Sequence, residues 1–299
     1  MKVRVIINPS SGRQTVQKQA KQIIDKLVQD KTFRQVDIIQ TTGAGDAFEA
    51  ARDFQPWQTD LVMAVGGDGT VNEVVNGLMA GRHLQTPLTI LPAGTVNDFA
   101  YSMDIPRETD AYCAMLRNFK TRRVDVGRAG DKFFLNVAAG GVLTDVAYKT
   151  PSEAKTVLGQ LAYLINGAID LPGQLWQTVS IDLISNQKSI SEEVMLFIIS
   201  NTKSVGGFRS LAPDAKVDDG LLDVLVVHKM NWYDFLPLMV KLMNGEHISH
   251  KGISYFQTDK LKIICKDACN VPLDLDGEEG GSLPVEISVK KQAIPLIIP

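Results

Sequence analysis

The chain has 299 residues, room for one large or two medium domains, and its 44% hydrophobic content excludes global disorder. A net charge of −3 excludes the basic footprint of a nucleic-acid binder. Three cysteines are too few for a disulfide framework and favour a reducing compartment, and no apolar run reaches the roughly 18 residues of a membrane span.

Residues 3–7 form an apolar strand that runs into NPSSG, so the opening MKVRVIINPSSG reads as a strand rather than a secretion signal. Val16, Ala20, Ile23, Ile24 and Leu27 recur at helical spacing. A second strand, 36–39, leads to the loop TTGAGDA, and a helix covers 46–53. A third strand, 61–65, is followed by GGDGT and the helical VNEVVNGL; a fourth, 88–91, is followed by PAGTVNDFA. Residues 110–118 read as helix and 123–126 as a short strand. Strand and helix alternate throughout, which implies an α/β domain over 1–127 with a doubly wound parallel sheet. The turns NPSSG, GGDGT and PAGT all fall at C-terminal ends of strands, where open α/β sheets bind ligands.

After Gly127 the pattern changes. FFLNVAAGG, TVSIDLIS, EEVMLFIIS, GLLDVLVV, KLKIICKD and PVEISVKK are strand-like, and several alternate apolar with polar residues. They predict an antiparallel β-sandwich domain over 128–290, interrupted by helices at 152–169 and 232–243, the second containing Pro237. The apolar tail AIPLIIP, about 291–299, is expected to return to the first domain.

The chemistry concentrates in AVGGDGTVNEVVNGL. Gly66, Gly67 and Gly69 let backbone N–H groups approach a phosphate, and the following helix adds the positive end of its dipole. There is no lysine, and Asp68 would repel a phosphate it touched directly. It can instead hold magnesium, or water around it, which neutralises the phosphates. The plainer alternative is an ordinary Asp-Gly turn. NPSSG and PAGTVND, with Thr95 and Asn97, are two further small-residue turns able to share a nucleotide.

NPSSG, GGDGTVNEV, PAGTVNDFA, VDVG, FLNVAAGG, LAPDAKVDDGLLDV and LDLDGE appear in order along nearly the whole chain. In these motifs it resembles the diacylglycerol kinase catalytic-domain family of soluble bacterial lipid kinases. That family is related to sphingosine and ceramide kinases and, more distantly, to NAD kinases and phosphofructokinases. The resemblance implies nucleotide contacts from Asn8, Pro9, Ser10, Ser11 and Gly12, from Thr41 (or its neighbour Thr42), from Gly66, Gly67, Asp68, Gly69, Thr70, Asn72 and Glu73, and from Thr95. It implies that Asp125, in VDVG, stands near Asp68 and helps order magnesium-bound water. It points to the DGE segment for the proton acceptor, Glu278 first and Asp276 as its rival. The plainer alternative there is an exposed acidic turn. It also implies a structural magnesium site made by the Asp219 carboxylate with the carbonyls of Lys216 and Leu221; by itself DDG reads as a hairpin turn.

The implied activity is transfer of the ATP γ-phosphate to a lipid hydroxyl, with diacylglycerol as the first acceptor and ATP and Mg2+ as cofactors. Phosphatidylglycerol or a sphingoid or isoprenoid alcohol is the alternative acceptor, and a non-catalytic nucleotide-binding regulator the alternative class. A cytoplasmic protein that visits the membrane surface transiently is expected, peripheral rather than integral. A homodimer through an edge strand is left open. His83, His228, His247 and His250 form no ligand signature.

Overall fold

The computed structural model describes residues 1–11, 14–94, 97–141, 178–266 and 270–299; the helix expected over 152–169 lies outside them. Contacts divide the chain into two compact units, Met1–Val126 with Lys291–Pro299, and Gly127–Lys290.

Unit 1 is built on a parallel sheet. Strands β1 (Lys2–Ile7), β2 (Gln35–Gln40), β3 (Leu61–Gly66) and β4 (Leu88–Pro92) lie in the order β2-β1-β3-β4. Val3 pairs with Val36 on one side and Leu61 on the other, and Val62 pairs with Leu88. LVMAVG and LTILP are buried at every residue, as expected of parallel strands covered on both faces. QVDIIQ of β2 is mostly exposed, because it is the edge. Helices α1 (Gln14–Gln29), α2 (Asp46–Arg52), α3 (Asp68–Ala80), α4 (Asp98–Ser102) and α5 (Thr109–Asn118) complete the unit. Helix α1 buries Ala20, Ile23, Ile24 and Leu27, one stripe at i, i+3, i+4 and i+7. Helices α2 and α3 meet through Gly77, where a Cβ would stand 2.3 Å from the Phe48 carbonyl oxygen.

Unit 2 is an antiparallel β-sandwich. Its strands are β6 (Lys132–Phe134), β7 (Val137–Gly141), β8 (Val179–Ser185), β9 (Ser189–Ser200), β10 (Leu222–His228), β11 (Ile253–Thr258), β12 (Lys260–Cys265), β13 (Pro272–Leu275) and β14 (Glu278–Ser282). β5 (Thr121–Ala129) enters it from unit 1 and pairs with β6; β15 (Val285–Ile297) leaves it, its first residues paired with β12 and Leu296 with Leu88 of unit 1. β9 organises the sandwich. Its first half pairs with β8, and its second half lies between β7 and β10. In that second half Phe197 and Ile199 face one apolar cluster, with Val224, Ile263 and Leu273, while Leu196 and Ile198 face another, with Leu211 and Leu225. Burial on both faces explains why VMLFIIS is a continuous apolar run. Helix α6 (Trp232–Asn244) contains Pro237 and contributes Leu242 to the second cluster.

One expectation is corrected. FFLNVAAGG is not one strand: β6 ends at Phe134 and β7 begins at Val137, because the N–H groups of residues 135–137 go to a side chain. Cys265 is disulfide-bonded, whereas Cys113 is free and buried. Among the described residues no helix is long and apolar enough to cross a membrane.

Candidate functional site

In unit 1 the three glycine-rich turns come together at the C-terminal ends of β1, β3 and β4. Asn8 follows β1; its N–H donates to Val65 O at 3.0 Å and its Nδ2 to Thr70 Oγ1 at 3.1 Å. Its Oδ1 accepts the N–H of Ser10 at 2.9 Å, so NPSS is shaped by Asn8 itself. β3 ends in Gly66 and α3 begins at Asp68, so the N–H groups of the first turn of a 13-residue helix lie at this end. Gly66 tolerates no side chain, since a Cβ would stand 2.4 Å from Thr70 Cβ. The turn after β4 packs on the turn after β3, where a Cβ at Gly94 would stand 3.0 Å from Gly67 Cα. Asn97 locks the two. It takes a left-handed conformation (φ 52°), gives its N–H to Asp68 Oδ2 at 3.1 Å and its Nδ2 to Gly66 O at 3.3 Å. The cradle therefore combines a helix N-terminus, hydroxyls and one carboxylate, a donor set that fits a polyphosphate with a hard dication.

Other residues implied for this site have different partners. Glu73 caps a helix: its two oxygens accept the N–H groups of Gly45 and Ala47 at 3.0 and 3.1 Å and anchor the start of α2. Asn72 is buried, and its carbonyl and Oδ1 accept from Asn76 Nδ2. Thr41 is buried at the end of β2, with its N–H on Ile7 O, while Thr42 is held by Asp46 through both its N–H and its hydroxyl. Asp125 is fully buried in β5, and Oδ1 accepts the N–H of Gln292. Gly12 and Thr95 lie outside the described residues.

In unit 2 the acidic segment folds as a tight connection from β13 to β14. Asp276 has φ 55° and Gly277 φ 91°. Asp276 Oδ2 accepts the N–H of Leu135 at 2.7 Å, and Oδ1 accepts those of Asn136 and Val137 at 2.9 and 2.7 Å. A carboxylate so committed is a poor proton acceptor and a strong anchor. Glu278, two residues on, is exposed. Asp274 is 3% exposed and accepts the Gly277 N–H at 2.8 Å. Burial pushes its carboxyl up to about 7, against the Gly277 hydrogen bond and helped by the charges of Asp276 and Glu278. Behind the turn Asn136, Asn201 and Thr202 form a buried polar network: Asn201 donates to Asn136 O at 2.8 Å and, through Nδ2, to Leu135 O at 2.9 Å, and Thr202 Oγ1 bonds Asn136 Oδ1.

Residues 2–129 match the diacylglycerol kinase catalytic domain family, and residues 136–298 match the YegS C-terminal NAD kinase beta sandwich-like domain. A diacylglycerol kinase of Bacillus subtilis (strain 168) is 38% identical over 299 residues, which cover 100% of this chain and 96% of that protein. The chain belongs to the diacylglycerol kinase family. A diacylglycerol kinase of Staphylococcus epidermidis is 34% identical over 299 residues, covering 100% of this chain and 92% of its own. The crystal structure of a diacylglycerol kinase from Bacillus anthracis superposes with a TM-score of 0.79 at 26% identity, covering 100% of this chain and 97% of that one. This family member is accordingly a lipid kinase, a transferase that uses a nucleotide.

Within this lipid kinase the segment 216–221 is a turn in which Asp219 Oδ1 accepts the Leu221 N–H at 3.0 Å. Nearby Asp223 is 1% exposed and held by Tyr255 and Gln257. Burial pushes its carboxyl up to about 6, and the charges of Asp219 and Asp214 add to that. Asp214, Asp219 and Asp223 are thus close enough to feel one another's charge, and of them Asp219, with backbone carbonyls beside it, has the oxygen chemistry that magnesium takes. Among the described residues no three His, Cys, Asp or Glu side chains gather as a metal cluster, so such a site depends on carbonyls.

Proposed function

We propose that the chain is an ATP- and Mg2+-dependent diacylglycerol kinase that moves the γ-phosphoryl group of ATP to the free hydroxyl of diacylglycerol and releases phosphatidic acid and ADP. The observation that carries this reading is the meeting of the three turns after β1, β3 and β4, tied by Asn8–Thr70 and Asn97–Asp68. Three strand ends and a helix N-terminus suit a triphosphate, and the names of the relatives supply the acceptor.

Gly66, Gly67, Gly69 and Thr70 orient the phosphates through backbone N–H and hydroxyl donors, and Asn8, whose own N–H is on Val65 O, shapes the first turn and holds the Thr70 hydroxyl, so the chain's main contribution is positioning. Asp68 organises the metal, with Asp125 in support, and bound magnesium supplies the positive charge that this lysine-free turn lacks. In unit 2 Glu278 takes the proton as the acceptor oxygen bonds to the γ-phosphorus and the bond to the bridging oxygen of ADP breaks. Asp276 and Asp274 hold the turn that carries Glu278. Lys216, Asp219 and Leu221 hold a second, structural magnesium.

The test incubates the protein with labelled ATP, magnesium and a panel of diacylglycerol, phosphatidylglycerol, sphingoid and isoprenoid alcohols in mixed micelles. Labelled phosphatidic acid is expected. Labelling of another lipid alone overturns the acceptor, and nucleotide binding without transfer to any acceptor overturns catalysis.

A further inference from the structure

The acceptor of a lipid kinase lies in a bilayer, so the protein needs a face that can meet one. Helix α6 has the required surface. Its inner face carries Leu238, 3% exposed, and Leu242, packed on the apolar cluster around Leu211 and Leu225. Its outer face carries Tyr233, Pro237 and Val240, at i, i+4 and i+7, all exposed: Tyr233 is 86% and Val240 56% accessible. No other described helix presents two large apolar side chains so exposed on one stripe. A single exposed apolar residue is unremarkable; a stripe on a helix that is already apolar on its inner side marks an interaction face.

The surroundings indicate what covers it. At the N-terminal end of α6 is a cavity of about 490 Å³ lined by His228, Lys229, Asn231, Asp234, His250 and Lys251. Lys188 reaches the same cluster: its Nζ donates to Ser254 Oγ at 2.9 Å, and His228 Nε2 bonds that hydroxyl at 2.7 Å. Lys241 on α6 is close enough to His250 to help lower its affinity for a proton, after burial. Four lysines thus face three carboxylates: Asp234 pairs with Lys251, Glu193 with Lys229, and Glu192 lies 3.1 Å from His228 Nδ1. Such ion pairs are exposed and weak, so phosphates can compete for the lysines.

We propose that the outer face of α6 and the basic cavity at its N-terminal end dock unit 2 on an anionic phospholipid bilayer. Tyr233 and Val240 enter the interfacial layer while the lysines meet lipid phosphates. This docking rests on the lipid kinase assignment but not on which lipid is phosphorylated, and neither residue belongs to the catalytic machinery.

The experiment is co-sedimentation, without ATP, with vesicles of phosphatidylcholine alone or mixed with phosphatidylglycerol. The wild type is expected to bind the mixed vesicles more tightly. Tyr233→Ser with Val240→Ser should lower that affinity by roughly tenfold or more, and Lys229→Gln or Lys251→Gln by roughly fivefold each on the anionic vesicles only. Hydrogen exchange over residues 232–244 should slow when vesicles are added. Turnover of a short-chain acceptor dispersed below its micellar threshold should be unchanged in all of these variants. Unaltered vesicle binding in the double variant overturns the proposal. So does a double variant that binds vesicles normally but dissociates from dimer to monomer, because the face would then hold a second copy. If no lipid is phosphorylated yet the vesicle results hold, the acceptor reading fails and the docking stands.

Discussion

Asp68 and Asn97 are joined across two turns: the Asn97 N–H donates to Asp68 Oδ2 at 3.1 Å, from a residue in left-handed conformation. The carboxylate therefore has a structural duty besides the metal-organising one proposed for it. Asp68→Asn separates them. The amide oxygen can still accept from Asn97, and losing a charge at a helix N-terminus costs only about 0.3–1 kcal/mol. Thermal unfolding should move little, while turnover falls by roughly 10²–10³-fold. Near-normal turnover in a folded Asp68→Asn would remove the metal role.

Glu278 and Asp276 divide along similar lines. Glu278 is exposed, so Glu278→Gln should leave stability within about 0.5 kcal/mol and reduce turnover by roughly 10²–10⁴-fold. Asp276→Ala strands three N–H groups, each costing about 1–3 kcal/mol. Asp276→Asn does not rescue it, because its NH2 would face the donor of Leu135 or of Asn136 and Val137. Urea unfolding of the three variants beside their rates makes the distinction. A stable, inactive Asp276→Ala would return the proton-acceptor role to Asp276.

The parallel core was legible because its physics is local. LVMAV and LTIL are buried on both faces and read as unbroken apolar runs, and the stripe from Ala20 to Leu27 has helical spacing. The glycine turns were legible because strand ends that receive ligands leave small residues in the sequence. What stayed hidden depends on contacts between residues distant in the chain. LDLDGEEG reads as an acidic surface turn, yet Asp274 is buried and Asp276 fills the gap between β6 and β7, some 140 residues earlier in the chain. Asn136, Asn201 and Thr202 look like loop residues and are buried for the same reason: backbone groups between strands need partners. Glu73 follows a motif that implies nucleotide, but only the fold shows that α2 begins against it.

Glu73 makes that last point measurable. Removing a side chain that caps two N–H groups at a helix start should cost about 1 kcal/mol. Glu73→Ala should accordingly lower the unfolding midpoint, while the KM for ATP stays within about twofold of wild type. Isothermal unfolding and initial rates at varied ATP provide the two readings. A tenfold rise in KM without loss of stability would put Glu73 in the nucleotide site.

Asp274 gives a pH dependence whose sign is fixed. Its carboxyl ordinarily titrates at 3.8 and in the fold at about 7, chiefly through burial. Between these values the folded chain holds a proton that the unfolded chain has released, so stability falls as pH rises through that window and is flat above it. The full shift corresponds to about 4 kcal/mol as an upper bound, at 1.36 kcal/mol per unit. Asp274→Asn is neutral at every pH and keeps an oxygen for the Gly277 N–H. It should flatten the decline, so that the variant gains on the wild type by a few kcal/mol between about pH 5 and pH 8. Urea midpoints at both pH values decide the matter. Parallel declines in the two proteins would place the titration elsewhere and leave Asp274 ionised in the fold.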